Sequence, residues 1–179
     1  LDREGADILL ITPSADFFAE PHIDGLIGYA KVFHQSGASW TLSSYASEGA
    51  NFGMFIGNYD IMREGALRIR KAALDLGVNR IIVGECGHAW RVAYSFWNTL
   101  TGIGGGASDE YALQLQNQLD QNYPQPQHII EYTYDLIQKG QLTFDKTKND
   151  HRTVTFHDSC NVARGSNMGG IENGQFILP

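Results

Sequence analysis

Cysteine occurs twice in the chain, and each copy sits in a polar stretch with a histidine beside it. One stretch reads Gly84-Glu85-Cys86-Gly87-His88 and the other His157-Asp158-Ser159-Cys160. A thiolate supports two kinds of chemistry. As a nucleophile it needs a base within hydrogen-bond reach, with His88 and His157 as the candidates. A histidine so near in sequence rarely faces its own cysteine, so crossed pairing is favoured: Cys86 with His157, or Cys160 with His88. As a ligand, a thiolate suits iron–sulfur clusters. Two cysteines fall short of the usual four-thiolate set, so spacing alone argues against a complete cluster site. A third reading stays open: free cysteine is also a small, commonly buried core residue. Arg91 and Arg164 each follow a cysteine closely and are either surface charges or counter-charges to a thiolate site.

Both cysteines follow β-branched runs that read as strands: Arg80-Ile81-Ile82-Val83 before Cys86, and Thr153-Val154-Thr155-Phe156 before Cys160. A polar cluster at the carboxyl end of a buried strand is where open α/β sheets place their chemistry. Upstream, the apolar run from Ala6 to Thr12 predicts a strand covered on both faces. Apolar spacing from His22 to Gln35 predicts a helix ended by Gly37, and Trp40 to Ser44 a second strand. The glycine-rich stretch from Ser47 to Asn58 reads as a long loop or lid. A helix is expected from Asp60 to Leu76, capped by Asp60 and stopped by Gly77. Val78 to Val83 is the third strand, and Ala89 to Leu100 a helix packed through Trp90 and Trp97. Gly102 to Gly106 contains G-x-G but follows a helix, so it reads as a loop and not a dinucleotide site. Ser108 to Asp120 reads as a polar helix, Ile129 to Tyr132 as a short strand, and Asp135 to Lys139 as helical turns. His128 and His151 read as solvated.

Strands alternating with helices predict an α/β fold. The expected architecture is a parallel sheet of βαβ units with helices on both faces. It would form two similar halves, about 1–106 and 107–179, each ending in strand–Cys–turn. A chain of 179 residues buries roughly 70% of its unfolded surface without needing disulfides. Its net charge of −7 argues against nucleic acid as a partner, which requires a basic face. Two cysteines suit a reducing compartment. No apolar run is long enough to span a bilayer. The chain starts at Leu1 and stops at Pro179, and both ends read as cuts in a longer protein.

Gly84-Glu85-Cys86-Gly87-His88-Ala89-Trp90-Arg91, followed by Val154-Thr155-Phe156-His157-Asp158-Ser159-Cys160-Asn161-Val162-Ala163-Arg164, resembles the cysteine-rich (CCG) domain of the heterodisulfide reductase-like family. The likeness is nearest to the iron–sulfur subunits of dissimilatory sulfite reductase-associated membrane complexes (DsrK type). It covers nearly the whole chain, and the stretch from Met54 to Ile69 and Asn167-Met168-Gly169-Gly170 also fit. The resemblance implies a noncubane 4Fe–4S cluster with Cys160 as the first cysteine of the motif. Cys86 would be the remnant of an earlier copy, because His88-Ala89 stands where a second cysteine is expected. His157 and Asp158 would support the cluster or deliver protons. The Cys-Cys pair and last C-x-x-C of the family do not occur in the 19 residues after Cys160, and are expected outside this chain. The implied activity is electron transfer from quinol to a disulfide or trisulfide of a small sulfur-carrier protein (DsrC-like). Implied partners are a membrane-bound haem/quinone subunit and other iron–sulfur subunits. The implied location is cytoplasmic, peripheral on the inner face of the cell membrane. The alternatives are a cofactor-free cysteine-nucleophile hydrolase and a non-catalytic scaffold subunit.

Overall fold

The protein is seen here in a computed structural model. It describes residues 1–12, 18–48, 50–84, 86–97, 124–145, 147–155, 157, 159–166, 171–172 and 175–176. Ile8–Ile11 forms β1, and every residue of it is buried. Its side chains alternate between two cores, as the period of two requires. Ile8 and Leu10 join one cluster; Leu9 and Ile11 join the other. The sheet is thus covered on both faces, as its unbroken apolar run implies.

Four parallel strands make this sheet: β1, β2 (Trp40–Thr41), β3 (Arg80–Val83) and β4 (Pro126–His128). Their spatial order is β2-β1-β3-β4. One face carries α1 (Glu20–Ser36) and α5 (Ile129–Gln138), through Phe33, Tyr29, Ile129, Tyr132 and Leu136. The other face carries α2 (Ala50–Ile56), α3 (Tyr59–Leu76) and α4 (Gly87–Ser95), through Met62, Ala66, Ile69, Trp90 and Val92. The fold is α/β, with a parallel sheet between helices. Trp90 and Trp97 are core anchors, both fully enclosed.

The helix ends follow familiar chemistry. Gly37 and Gly77 close α1 and α3 in the left-handed region, at φ 73° and 61°, where only glycine sits without strain. Asn58, and not Asp60, caps α3: its side chain accepts from Ile61 N at 3.1 Å.

Three expectations for individual elements are corrected. The glycine-rich stretch is not a loop, because it holds α2. Gly53 there lets α2 lie directly on α3. A Cβ at this position would stand 2.6 Å from the Asn58 carbonyl oxygen and 2.8 Å from Met62 N. The glycine serves close helix packing, which composition alone does not distinguish from loop flexibility.

Second, Ile129 to Tyr132 is the start of α5 and not a strand; the strand is Pro126–His128 just before it. A capping box decides the matter. His128 Nδ1 accepts from Ile130 N at 3.2 Å, and Glu131 Oε2 accepts from His128 N at 2.9 Å. That reciprocal pair starts a helix even across β-branched residues.

Third, among the described residues Thr153 to Thr155 pairs with no strand, and it is exposed to solvent. A short antiparallel pair, Ile171–Glu172 with Gln175–Phe176, lies beyond it. The intervening Asn173-Gly174 is a strong hairpin signal, distinct from the alternating strands and helices of the rest of the chain. The expected helix from Ser108 to Asp120 and the loop from Gly102 to Gly106 fall outside the described residues.

Candidate functional site

The strand order fixes where chemistry belongs. From β1 the chain crosses to β2 on one side, then returns past β1 to β3 on the other. The crevice beyond the carboxyl ends of β1 and β3 is the switch point where open α/β sheets bind ligands. Cys86 lies there, between the end of β3 and the start of α4. Gly84 N donates to Ile11 O at 3.0 Å, which joins the two strand ends just beneath it.

Cys86 is half-buried and packs against the core under α3 and α4. It occupies the N-cap position of α4 with extended backbone, and its side chain makes no cap bond. Its carbonyl accepts from Trp90 N at 2.9 Å. Cys86 therefore stands at the N-terminus of a nine-residue helix, the end whose dipole favours an anion. Asn51, at the start of α2, directs Nδ2 to the sulfur at 4.0 Å. Asn51 is buried, and its own N–H donates to Glu48 Oε1 at 3.0 Å. Glu48 is buried in turn, and its N–H meets Thr12 O at 3.4 Å beyond the end of β1. The packing of α2 on α3 through Gly53 holds this assembly in place.

Cys160 opens a five-residue π-helical turn, Cys160–Arg164, and is exposed. Ser159 caps the turn by accepting from Val162 N at 3.3 Å. Gly165 N donates to Cys160 O at 2.6 Å, and Ser166 Oγ donates to Asn161 O at 2.7 Å. This turn rests on the start of α4. A Cβ on Gly87 would come within 3.2 Å of both Asn161 Cβ and Val162 Cγ2, and 3.5 Å of Ser159 Oγ. Arg91 Nη1 donates to Asn161 Oδ1 at 3.2 Å and closes the contact. Gly87 directly follows Cys86, and Ser159 and Asn161 flank Cys160. Two thiol-bearing turns separated by 74 positions in sequence are thus brought face to face.

The other candidate residues are placed as follows. His157 is exposed. Asp158 lies outside the described residues. His88 stacks edge-on against Phe55, with ring centroids 4.8 Å apart. Arg91 is no idle surface charge, since it ties α4 to the Cys160 turn. The expectation that His128 is solvated is corrected: it is 1% exposed. Its ring meets Trp90 edge-on at 5.2 Å. Burial pushes its pKa down from 6.5 to about 4, with a Gly84 backbone hydrogen bond opposing the shift. Sequence reasoning missed Asn51 and Glu48. Both are polar residues in a glycine-rich stretch, and nothing local marks them as buried.

The donor set bears on which group the site suits. Two thiols on contacting turns, one with an amide N–H aimed at its sulfur, suit thiolate ligation of a soft metal. Among the described residues no group of three His, Cys, Asp or Glu side chains converges. Among the described residues no helix is long and apolar enough to cross a membrane.

No family model matches the chain, and no solved structure matches it. Two curated relatives do. One is an Hdr-like menaquinol oxidoreductase iron-sulfur subunit 2 from Archaeoglobus fulgidus, 37% identical over 204 aligned positions. The other is an Hdr-like menaquinol oxidoreductase iron-sulfur subunit from Archaeoglobus profundus, 35% identical over 197. Each alignment takes in 99% of this chain and 35% of the relative, so the chain spans about a third of their length. Similar at 35–37% identity along nearly its whole length, the chain is homologous to a one-third portion of Hdr-like menaquinol oxidoreductase iron–sulfur subunits.

Proposed function

We propose that the chain is the cysteine-rich, CCG-type portion of an iron–sulfur electron-transfer subunit. In this reading the subunit works in a quinol-linked membrane complex and reduces a disulfide or trisulfide of a small sulfur-carrier protein. The observation that carries the reading is the meeting of the Cys86 and Cys160 turns across Gly87 at the switch point of the sheet. The names of both relatives, iron–sulfur subunits of a menaquinol oxidoreductase, support an oxidoreductase with an iron–sulfur group. Reduction of a sulfur–sulfur bond, a DsrK-type assignment and a DsrC-like substrate rest on the motif likeness.

Cys86 and Cys160 would supply two thiolates to a noncubane 4Fe–4S cluster, the remaining ligands coming from polypeptide outside this chain. Such a group supplies single-electron transfer at a potential set by burial and by hydrogen bonds to its sulfurs. This chain's own residues prepare the place for it. Asn51 aims its amide at the Cys86 sulfur, and the α4 amides favour negative charge there. The Arg91–Asn161 bond keeps Cys160 beside α4. Exposure of Cys160 and His157 leaves that wall open to an incoming protein disulfide. Partners in this reading are a membrane-bound haem/quinone subunit and further iron–sulfur subunits, with the chain on the cytoplasmic face of the membrane.

The test is a reduction and reoxidation experiment on the anaerobically purified complex. A menaquinol analogue should bleach the iron–sulfur absorbance, and a protein disulfide or trisulfide should restore it. Bleaching followed by no recovery with any disulfide or trisulfide would defeat the sulfur–sulfur reading.

A further inference from the structure

We propose that Asn51 is a positioning residue for the redox group: its amide fixes the Cys86 sulfur and raises the reduction potential of the iron–sulfur group which that sulfur ligates. Asn51 lies in the first turn of α2 and is 7% exposed. Its Nδ2 donates to Cys86 Sγ at 4.0 Å, a long reach that the large sulfur atom permits. Its Oδ1 is enclosed and meets no hydrogen-bond partner among the described residues. A buried amide left half unpaired lowers stability. The start of α2 does not call for this side chain, because the bond that anchors it belongs to the backbone: Asn51 N donates to Glu48 Oε1 at 3.0 Å. Among the described residues the side chain's partner is the sulfur. A buried polar group that the helix does not need, aimed at a thiol at the switch point of the sheet, points to a role for that thiol.

The donor is held in place from three directions. Buried Glu48 receives the Asn51 N–H, and Glu48 N donates to Thr12 O at 3.4 Å beyond the end of β1. Gly53 lies directly on α3, where a Cβ would stand 2.7 Å from Met62 Cγ. One turn after Asn51, Phe55 meets the ring of His88 edge-on at 4.8 Å, two residues beyond Cys86. These contacts fasten α2 to the end of β1, to α3 and to α4, so Asn51 cannot swing clear of the sulfur without breaking them. A donor fixed in this way needs no reorganisation when charge changes. Adding one electron, supplied from the quinol side of the complex, places negative charge on the ligating sulfurs and makes or breaks no bond. A hydrogen bond to one of those sulfurs therefore favours the reduced form. An amide turned over would face an oxygen to the thiolate, so ligation keeps Nδ2 toward the sulfur. The role in electron transfer rests on the function proposed above; the placement of the donor does not.

Asn51→Leu in the complete, anaerobically purified subunit tests this. Leucine branches at the same carbon as asparagine and keeps the backbone bond to Glu48. A potentiometric titration followed by electron paramagnetic resonance should show the reduction equilibrium shifted toward the oxidised form by about fivefold, the worth of one net hydrogen bond. For one electron that is about 40 mV toward lower potential. The iron-free Asn51→Leu subunit should unfold at or above the midpoint of iron-free wild type, because no structural bond is lost and an unpaired buried oxygen is removed. Asn51→Ala also removes the donor, should shift the potential in the same direction, and decides the matter if the leucine variant does not fold. An unchanged potential, or a shift accompanied by a lowered iron-free midpoint, would overturn the proposal. A wild-type subunit with no iron–sulfur signal would defeat the functional reading and this role together, an outcome distinct from an unchanged potential.

Discussion

Under the proposed function, Cys86→Ser and Cys160→Ser are each expected to lower the iron content of the complete subunit, with different effects on folding. Cys160 is exposed, and its backbone contacts do not use the sulfur. Exposed substitutions away from special features stay within about 0.5 kcal/mol. Compared with iron-free wild type, Cys160→Ser should therefore unfold at nearly the same midpoint, since loss of a bound group itself lowers the midpoint of either variant. Cys86 is half-buried against the core beneath α3 and α4. Serine there places a more polar group against that core, at a cost of about 1–2 kcal/mol. The pair of measurements is iron content and the denaturation midpoint. Equal iron in Cys160→Ser and wild type would remove Cys160 from the ligand set. An unfolded Cys86→Ser would be distinguished by its midpoint from a folded protein that has lost iron.

Acidification from pH 6.5 to pH 4 is expected to cost stability on the order of 3 kcal/mol through His128 alone. The folded-state pKa is depressed to about 4 from 6.5, chiefly by burial. The group is neutral in the folded protein, and the unfolded chain binds the proton first. Its contribution is therefore complete above pH 6.5, falls as pH drops from 6.5 to about 4, and is exhausted below. Protonation also turns Nδ1 from acceptor into donor, which removes the bond from Ile130 N that starts α5. Asp7 is lowered through bonds from Ser39, and Asp145 through bonds from Thr147, so both shifts act below 3.8 and outside this window. His128→Asn retains a capping side chain and removes the titration. Chemical denaturation at several pH values should show the slope between pH 6.5 and 4 in the wild type and its loss in His128→Asn. An unchanged slope would show that other groups carry the acid sensitivity.

The sheet is legible in the sequence because its signals are local. Ile8 to Ile11 and Arg80 to Val83 are short apolar runs too rich in β-branched or aliphatic residues to be solvated. Gly37 and Gly77 mark the ends of α1 and α3 where such stops are expected. The errors fall where a residue type serves two physical purposes. Gly53 is a contact point between helices and reads the same as a loop glycine. Ile129-Ile130 reads as a strand until the His128–Glu131 capping box is noticed. At the site, the two cysteines are legible from their rarity, but their meeting is not. That meeting depends on Gly87 and Arg91 touching Asn161, which lies 70 or more positions from either. Burial of Asn51, Glu48 and His128 is likewise a product of packing and leaves no local trace.

The central claim is that Cys86 and Cys160 ligate one iron–sulfur group together. Electron paramagnetic resonance and iron and sulfide analysis of the anaerobically purified full-length subunit test it most directly, with the Cys86→Ser/Cys160→Ser double variant alongside. The expected result is a paramagnetic iron–sulfur signal in the wild type that is absent from the folded double variant, with a matching drop in iron and sulfide. The same signal and the same iron content in both proteins would contradict it.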